Sequence, residues 1–131
     1  LLVALNNAKN KSKDARITYD AQQTRSGVEL NYTGFYYPDL TQAGGSGAQP
    51  NVAGQLLPGG PNNANLTMLA ADAASQGGAL IYRVTTSATD MTAAYAISGP
   101  LPSTGNTKYF CIDSLGNVNP KSPTSNTITC P

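Results

Sequence analysis

The sequence predicts an α+β domain: one long N-terminal helix packed against an antiparallel β-meander. Three observations carry this. The first 33 residues hold no proline and a single glycine, and their apolar residues recur at helical spacing. The second half breaks into short runs rich in β-formers separated by turn residues. Between them lies a long stretch of Gly, Pro, Asn and Gln. At 131 residues the chain fits a single domain. Its expected parts are a helix over 1–33, a connection with a short helix over 34–78, and a sheet with a C-terminal disulfide loop over 79–131.

The helix begins apolar (Leu1, Leu2, Val3, Leu5), becomes charged (Lys9, Lys11, Lys13, Asp14, Arg16) and then turns amphipathic. Ile17, Ala21, Thr24, Val28 and Tyr32 follow one another at steps of 4, 3, 4 and 4, which places them on one face. This is the candidate core face. It is narrow and its residues are modest in size, so it requires a sheet or other helices to cover it. Arg16 with Asp20, and Arg25 with Glu29, stand four apart and are expected as exposed ion pairs worth a few tenths of a kcal/mol. Gly27 sits beside the stripe, either as a tolerated glycine or as a point of close approach.

Thr33-Gly34 ends the predicted helix, and an aromatic cluster, Phe35-Tyr36-Tyr37-Pro38, follows. Residues 41–63 carry nine Gly or Pro and no charge, so a long irregular connection is expected there. Asn63 can cap a short helix over Ala64 to Ser75, with Leu66, Leu69, Ala70 and Ala73 on one face and Gly77-Gly78 as its stop. Strands are expected over 79–87, 91–98 and 108–113. Ser87 to Asp90 is the turn between the first two, and 99–106 is a loop. The tail from Asn117 to Pro131 is Ser, Thr, Asn and Pro, and is not expected to order on its own.

Cys111 and Cys130 are the only cysteines, and the chain has no histidine. The pair cannot form an ordinary four-ligand zinc site. A disulfide is favoured over two free thiols, and it points to an oxidising compartment. It would tie the tail to the third strand, a closure worth roughly 3 kcal/mol on the chain-entropy model.

Several functions are disfavoured. Net charge is +1, and the head's basic residues are only Arg83, Lys108 and Lys121, so tight nucleic-acid binding is not expected. Without histidine there is no Ser-His-Asp or Cys-His arrangement. Glu29 is the only glutamate, and the six aspartates are dispersed, so no carboxylate pair for hydrolysis is visible. Gly44-Gly-Ser-Gly47 lacks the Lys-Ser/Thr of a phosphate loop. Asp90 and Asp113 lie at strand ends and read as turn residues in preference to Ca²⁺ ligands. The chain is not expected to be an enzyme or to carry a cofactor or metal. No apolar run reaches the ~18 residues that would cross a membrane.

Leu2-Val-Ala-Leu-Asn-Asn-Ala-Lys-Asn-Lys-Ser-Lys-Asp-Ala-Arg16 resembles the segment that leaves the hydrophobic helix start of bacterial type IV pilins, a run of the form V-A-L-N-x-A-R-x-K-S-R-D-A-(K/R). Asp20, Glu29, Leu30 and Tyr32 fall at the register of that family's D…ELxY pattern, and Tyr37-Pro38 fits its helix exit. Tyr109-Phe-Cys-Ile-Asp-Ser-Leu-Gly116 is similar to the strand that opens the family's C-terminal disulfide loop, with Cys130 as the closing residue. The resemblance covers the front ~33 and back ~25 residues, and the middle does not take part. Ala21 and Thr24 are smaller than the residues the family usually has there.

The resemblance implies a pilin-like fold and a structural role as a subunit of a type IV pilus, supporting adhesion, twitching motility or DNA uptake. The alternatives are a pseudopilin of a type II secretion or DNA-uptake system, or a minor pilin acting as adhesin. It implies Leu1, Leu2, Val3 and Leu5 as filament interface, with a longer apolar helix and a short basic leader expected before Leu1. The implied partners are other pilin subunits in a helical filament and the pilus assembly machinery. The implied location is the cell surface, after a membrane-anchored precursor stage.

Overall fold

The computed structural model describes residues 1–30, 52–55, 64–78, 80–84, 95–123 and 129–131. In chain order these form α1 (Leu2–Leu30), β1 (Val52–Gln55), α2 (Ala64–Ser75), β2 (Ile81–Val84), β3 (Tyr95–Pro100), a 3₁₀ turn (Pro102–Thr104), β4 (Tyr109–Asp113) and β5 (Val118–Ser122). The strands make one antiparallel sheet in the order β1-β2-β3-β4-β5. The fold is therefore α+β, with a helix packed on a meander, as the residue pattern predicts.

α1 is built as its stripe requires. Ile17, Ala21, Thr24 and Val28 are buried, and Tyr32 lies outside the described residues. Asp20 shares the buried face. Residues 1–9, 11 and 12 are exposed, so roughly three turns of helix, about 18 Å, extend from the head with no cover. Asp14 ties the helix to the head. Its carboxylate accepts the backbone N–H of Ser103 at 3.0 Å and the Ser103 hydroxyl. Through these bonds α1 caps the 3₁₀ turn from outside, a tertiary version of an N-terminal cap.

The sheet meets α1 through Tyr95, Ile97, Phe110 and Ile112, which join Ile17, Ala21, Val28, Tyr82, Leu80 and Leu101 in one apolar cluster. Tyr82 and Tyr95, adjacent on β2 and β3, place their rings 5.8 Å apart in a tilted pair. Alternation puts Ala96, Ser98, Cys111 and Asp113 on the opposite face, where all four are buried. Close approach occurs at two glycines outside α1. Ile17 lies against Gly99 and Gly78, and a Cβ on Gly99 would stand 2.6 Å from Cγ2 of Ile17. One on Gly78 would stand 2.9 Å from Cδ1 of Ile17. The helix seats its only buried isoleucine in a notch made by two residues without side chains.

α2 spans the predicted residues. Ala70 and Ala73 are buried and Leu69 packs partly on the core; the side chain of Leu66 and the cap at Asn63 lie outside the described residues. The helix ends in a Schellman arrangement. Gly77, at φ +93°, donates to the carbonyl of Ala74, and Gly78 donates to that of Ala73.

Two strands occupy stretches expected to be irregular. β1 falls inside the Gly/Pro-rich connection and pairs with β2. β5 falls in the tail and pairs with β4 through a register shift between Tyr109 and Cys111. Pro120 sits within β5, at the edge of the sheet, where a missing N–H costs no ladder bond. Composition disguises both because each is short and pairs with a single neighbour. β3 runs through Gly99-Pro100, which the sequence places in a loop. The predicted helix end at 31–33, the aromatic cluster at 35–38 and the turn at 87–90 lie outside the described residues.

Candidate functional site: the bare helix start and the disulfide corner

Two features remain after the core is accounted for. The first is the start of α1. Leu1, Leu2, Val3 and Leu5 are exposed, with Leu2 at 71% and Val3 at 72%. Fully burying such side chains is worth about 1.5–3 kcal/mol each, so four of them together are a strong site for association. No helix among the described residues is long and apolar enough to cross a membrane.

The second is the corner where the C-terminus returns to β4. Cys111 and Cys130 form a disulfide with Cα atoms 5.7 Å apart. Cys111 is 2% exposed on β4, inside the sheet. Asp113, two residues on, organises the corner. Its Oδ1 accepts N–H bonds from Leu115 (3.0 Å) and Asn117 (2.8 Å). Its Oδ2 accepts the Asn117 side chain (3.0 Å) and the backbone N–H of Cys130 (2.9 Å). Burial favours its neutral form, but the bonds from Cys130, Asn117 and Leu115 outweigh this and hold the carboxyl below its usual range. Asn119 adds a further tie, donating to the carbonyl of Pro131 at 2.9 Å. Leu115 and Val118 stand exposed on the turn beside this corner.

Asp113 is a turn residue, as its position implies, but its reach is longer than a turn: one carboxylate closes the β4–β5 turn and receives the returning chain. Aspartate at the end of a β strand and three before Gly is a signal for the turn alone. Nothing local in the sequence announces the bond to Cys130. Asp90 lies outside the described residues.

Three members of the expected i,i+4 pairs, Arg16, Arg25 and Glu29, take longer-range partners. Arg16 bonds Asp72 of α2, and Asp20 is buried. Arg25 donates from Nε to the carbonyl of Asp113 at 3.2 Å, and Glu29 accepts the hydroxyl of Tyr95 at 2.6 Å. Each of these carries α1 onto another element, which helical spacing alone cannot foresee.

A shallow cleft of about 520 Å³ runs along the α1–α2 seam, lined in part by Tyr19, Met68, Leu69 and Asp72. Among the described residues, no cluster of three or more His, Cys, Asp or Glu is arranged to hold a metal ion.

No protein-family model matches the chain, and no curated protein or solved structure matches it either.

Proposed function

We propose that this chain is the head and helix stem of a structural subunit of a type IV pilus, exported to the cell surface, where it supports adhesion, motility or DNA uptake. The observation that carries the reading is the apolar helix start. Leu1, Leu2, Val3 and Leu5 lie on a helical segment that extends from the head, where nothing among the described residues buries them. A helix of this kind packs against copies of itself in a filament core, and the sheet then faces outward. The disulfide and the Asp113 corner support the reading, since both stabilise a domain that works outside the reducing cytosol.

Electron microscopy of cells expressing the protein as its gene encodes it tests the proposal. Thin filaments labelled by antibody to the head are expected. The double substitution Leu2→Asp with Leu5→Asp should abolish them while leaving the head's melting temperature unchanged. Filaments assembled equally well by the double variant, or no filaments from the native protein, would overturn it.

A further inference from the structure

The seam between α1 and α2 holds a charge arrangement that the filament reading does not use. Asp20 is 2% exposed on the core face of α1. No N–H or O–H among the described residues reaches its Oδ2. A second carboxyl, Asp72 of α2, lines the same cleft, and its Oδ1 is bonded by Arg16. Two carboxyl groups facing each other do not both ionise at modest cost. One proton between them turns the repulsion into an O–H···O⁻ bond.

We propose that Asp20 keeps a proton and donates it to the Asp72 carboxylate, and that this proton-binding site is the joint that fastens α2 to α1. Burial contributes most to the site's affinity, followed by the hydrogen bond with Asp72 and then its charge, while Arg16 opposes them; together they push Asp20 up to about 7. The charged groups at the joint are Arg16 and Asp20 from α1 and Asp72 from α2. The other elements packed on α1 take up different partners: Asp14 bonds Ser103, Arg25 the carbonyl of Asp113, and Glu29 the hydroxyl of Tyr95.

The sign follows from the two states. Native Asp20 keeps a proton that an unfolded Asp20 has lost above its ordinary value of 3.8. The joint is therefore strongest in mildly acidic solution and weakens as pH rises towards 7. Above that, a buried carboxylate must be hydrated, and the adjoining cleft, lined by Asp20 and Asp72 themselves, gives water its route.

Carboxyl ¹³C titration of the intact, oxidised protein reads the site directly, and amide hydrogen exchange in α2 reads the joint. Asp20 is expected to titrate near 7, and α2 protection to fall about tenfold between pH 6 and 8 beyond the intrinsic rise in exchange. Asp20→Asn and, separately, Asp72→Asn should each remove that extra dependence. An Asp20 midpoint near 4, or the same pH dependence in both variants, would overturn the proposal. If a variant fails to fold, the titration of the native protein still decides.

Discussion

Asp113 concentrates more structural work than any other polar residue described. Its carboxylate receives three backbone N–H groups and one side-chain amide. Replacing it with Ala leaves those part-buried donors without their acceptor, and hydrogen bonds to a charged group are worth about 1.5–3 kcal/mol each before relaxation. Asp113→Ala should cost roughly 3 kcal/mol in urea unfolding, with the disulfide still formed. Ile17 and Gly99 make the apolar counterpart. Gly99→Ala puts a methyl group against a fully buried β-branched side chain, an overpacking expected to cost about 1–3 kcal/mol by the same measurement. Neither role is legible in the sequence. Ile17 reads correctly as core, but what it presses on lies about 80 positions away and depends on the sheet register. Asp20 shows a faint signal in hindsight: three after Ile17 and four before Thr24, it falls on the buried stripe, and an aspartate there needs a reason.

At the scale of elements, periodicity served well wherever an element buries one face. The stripe of α1 and the span of α2 follow from it, while the centres of β2, β3 and β4 follow from their runs of β-formers. Periodicity failed at the sheet edges, where β1 and β5 each pair with one neighbour and β5 leaves most of its residues outside the core. Length hides them too: four and five residues are too few for a pattern to stand out from a Gly- and Asn-rich background. α1 itself should behave as two segments. Amides from Ile17 to Val28 lie over the core, whereas those from Leu2 to Ser12 have no tertiary cover. Hydrogen exchange in the isolated subunit should be fast in the first segment and slow in the second, by a factor of at least about a hundred. Packing the start of α1 into an assembly should slow the first segment to match. In α2, Gly77→Ala forces a side chain into a left-handed turn, and a loss of about 1 kcal/mol in thermal unfolding is expected.

For the whole molecule, stability against pH should form a dome with its top on the acidic side. Asp113 is held below its usual range, so its contribution is complete above about pH 4 and is lost as pH falls through its lower native value. Asp20 works on the other limb, its contribution fading as pH rises from about 4 towards 7. Urea unfolding at intervals from pH 2 to 9 should place the maximum at roughly pH 4–5, and Asp20→Asn should flatten the upper limb only. Reduction of Cys111–Cys130, which closes a 19-residue separation, should lower stability by about 3 kcal/mol at any pH in that range. The fit of Ile17 into Gly99 carries a further consequence, for variation between related sequences. The two positions share one small volume, so neither can drift alone. A lineage that acquires a side chain at 99 should be found with a smaller residue at 17, and the pair should exchange bulk as a unit while the residues around them vary freely.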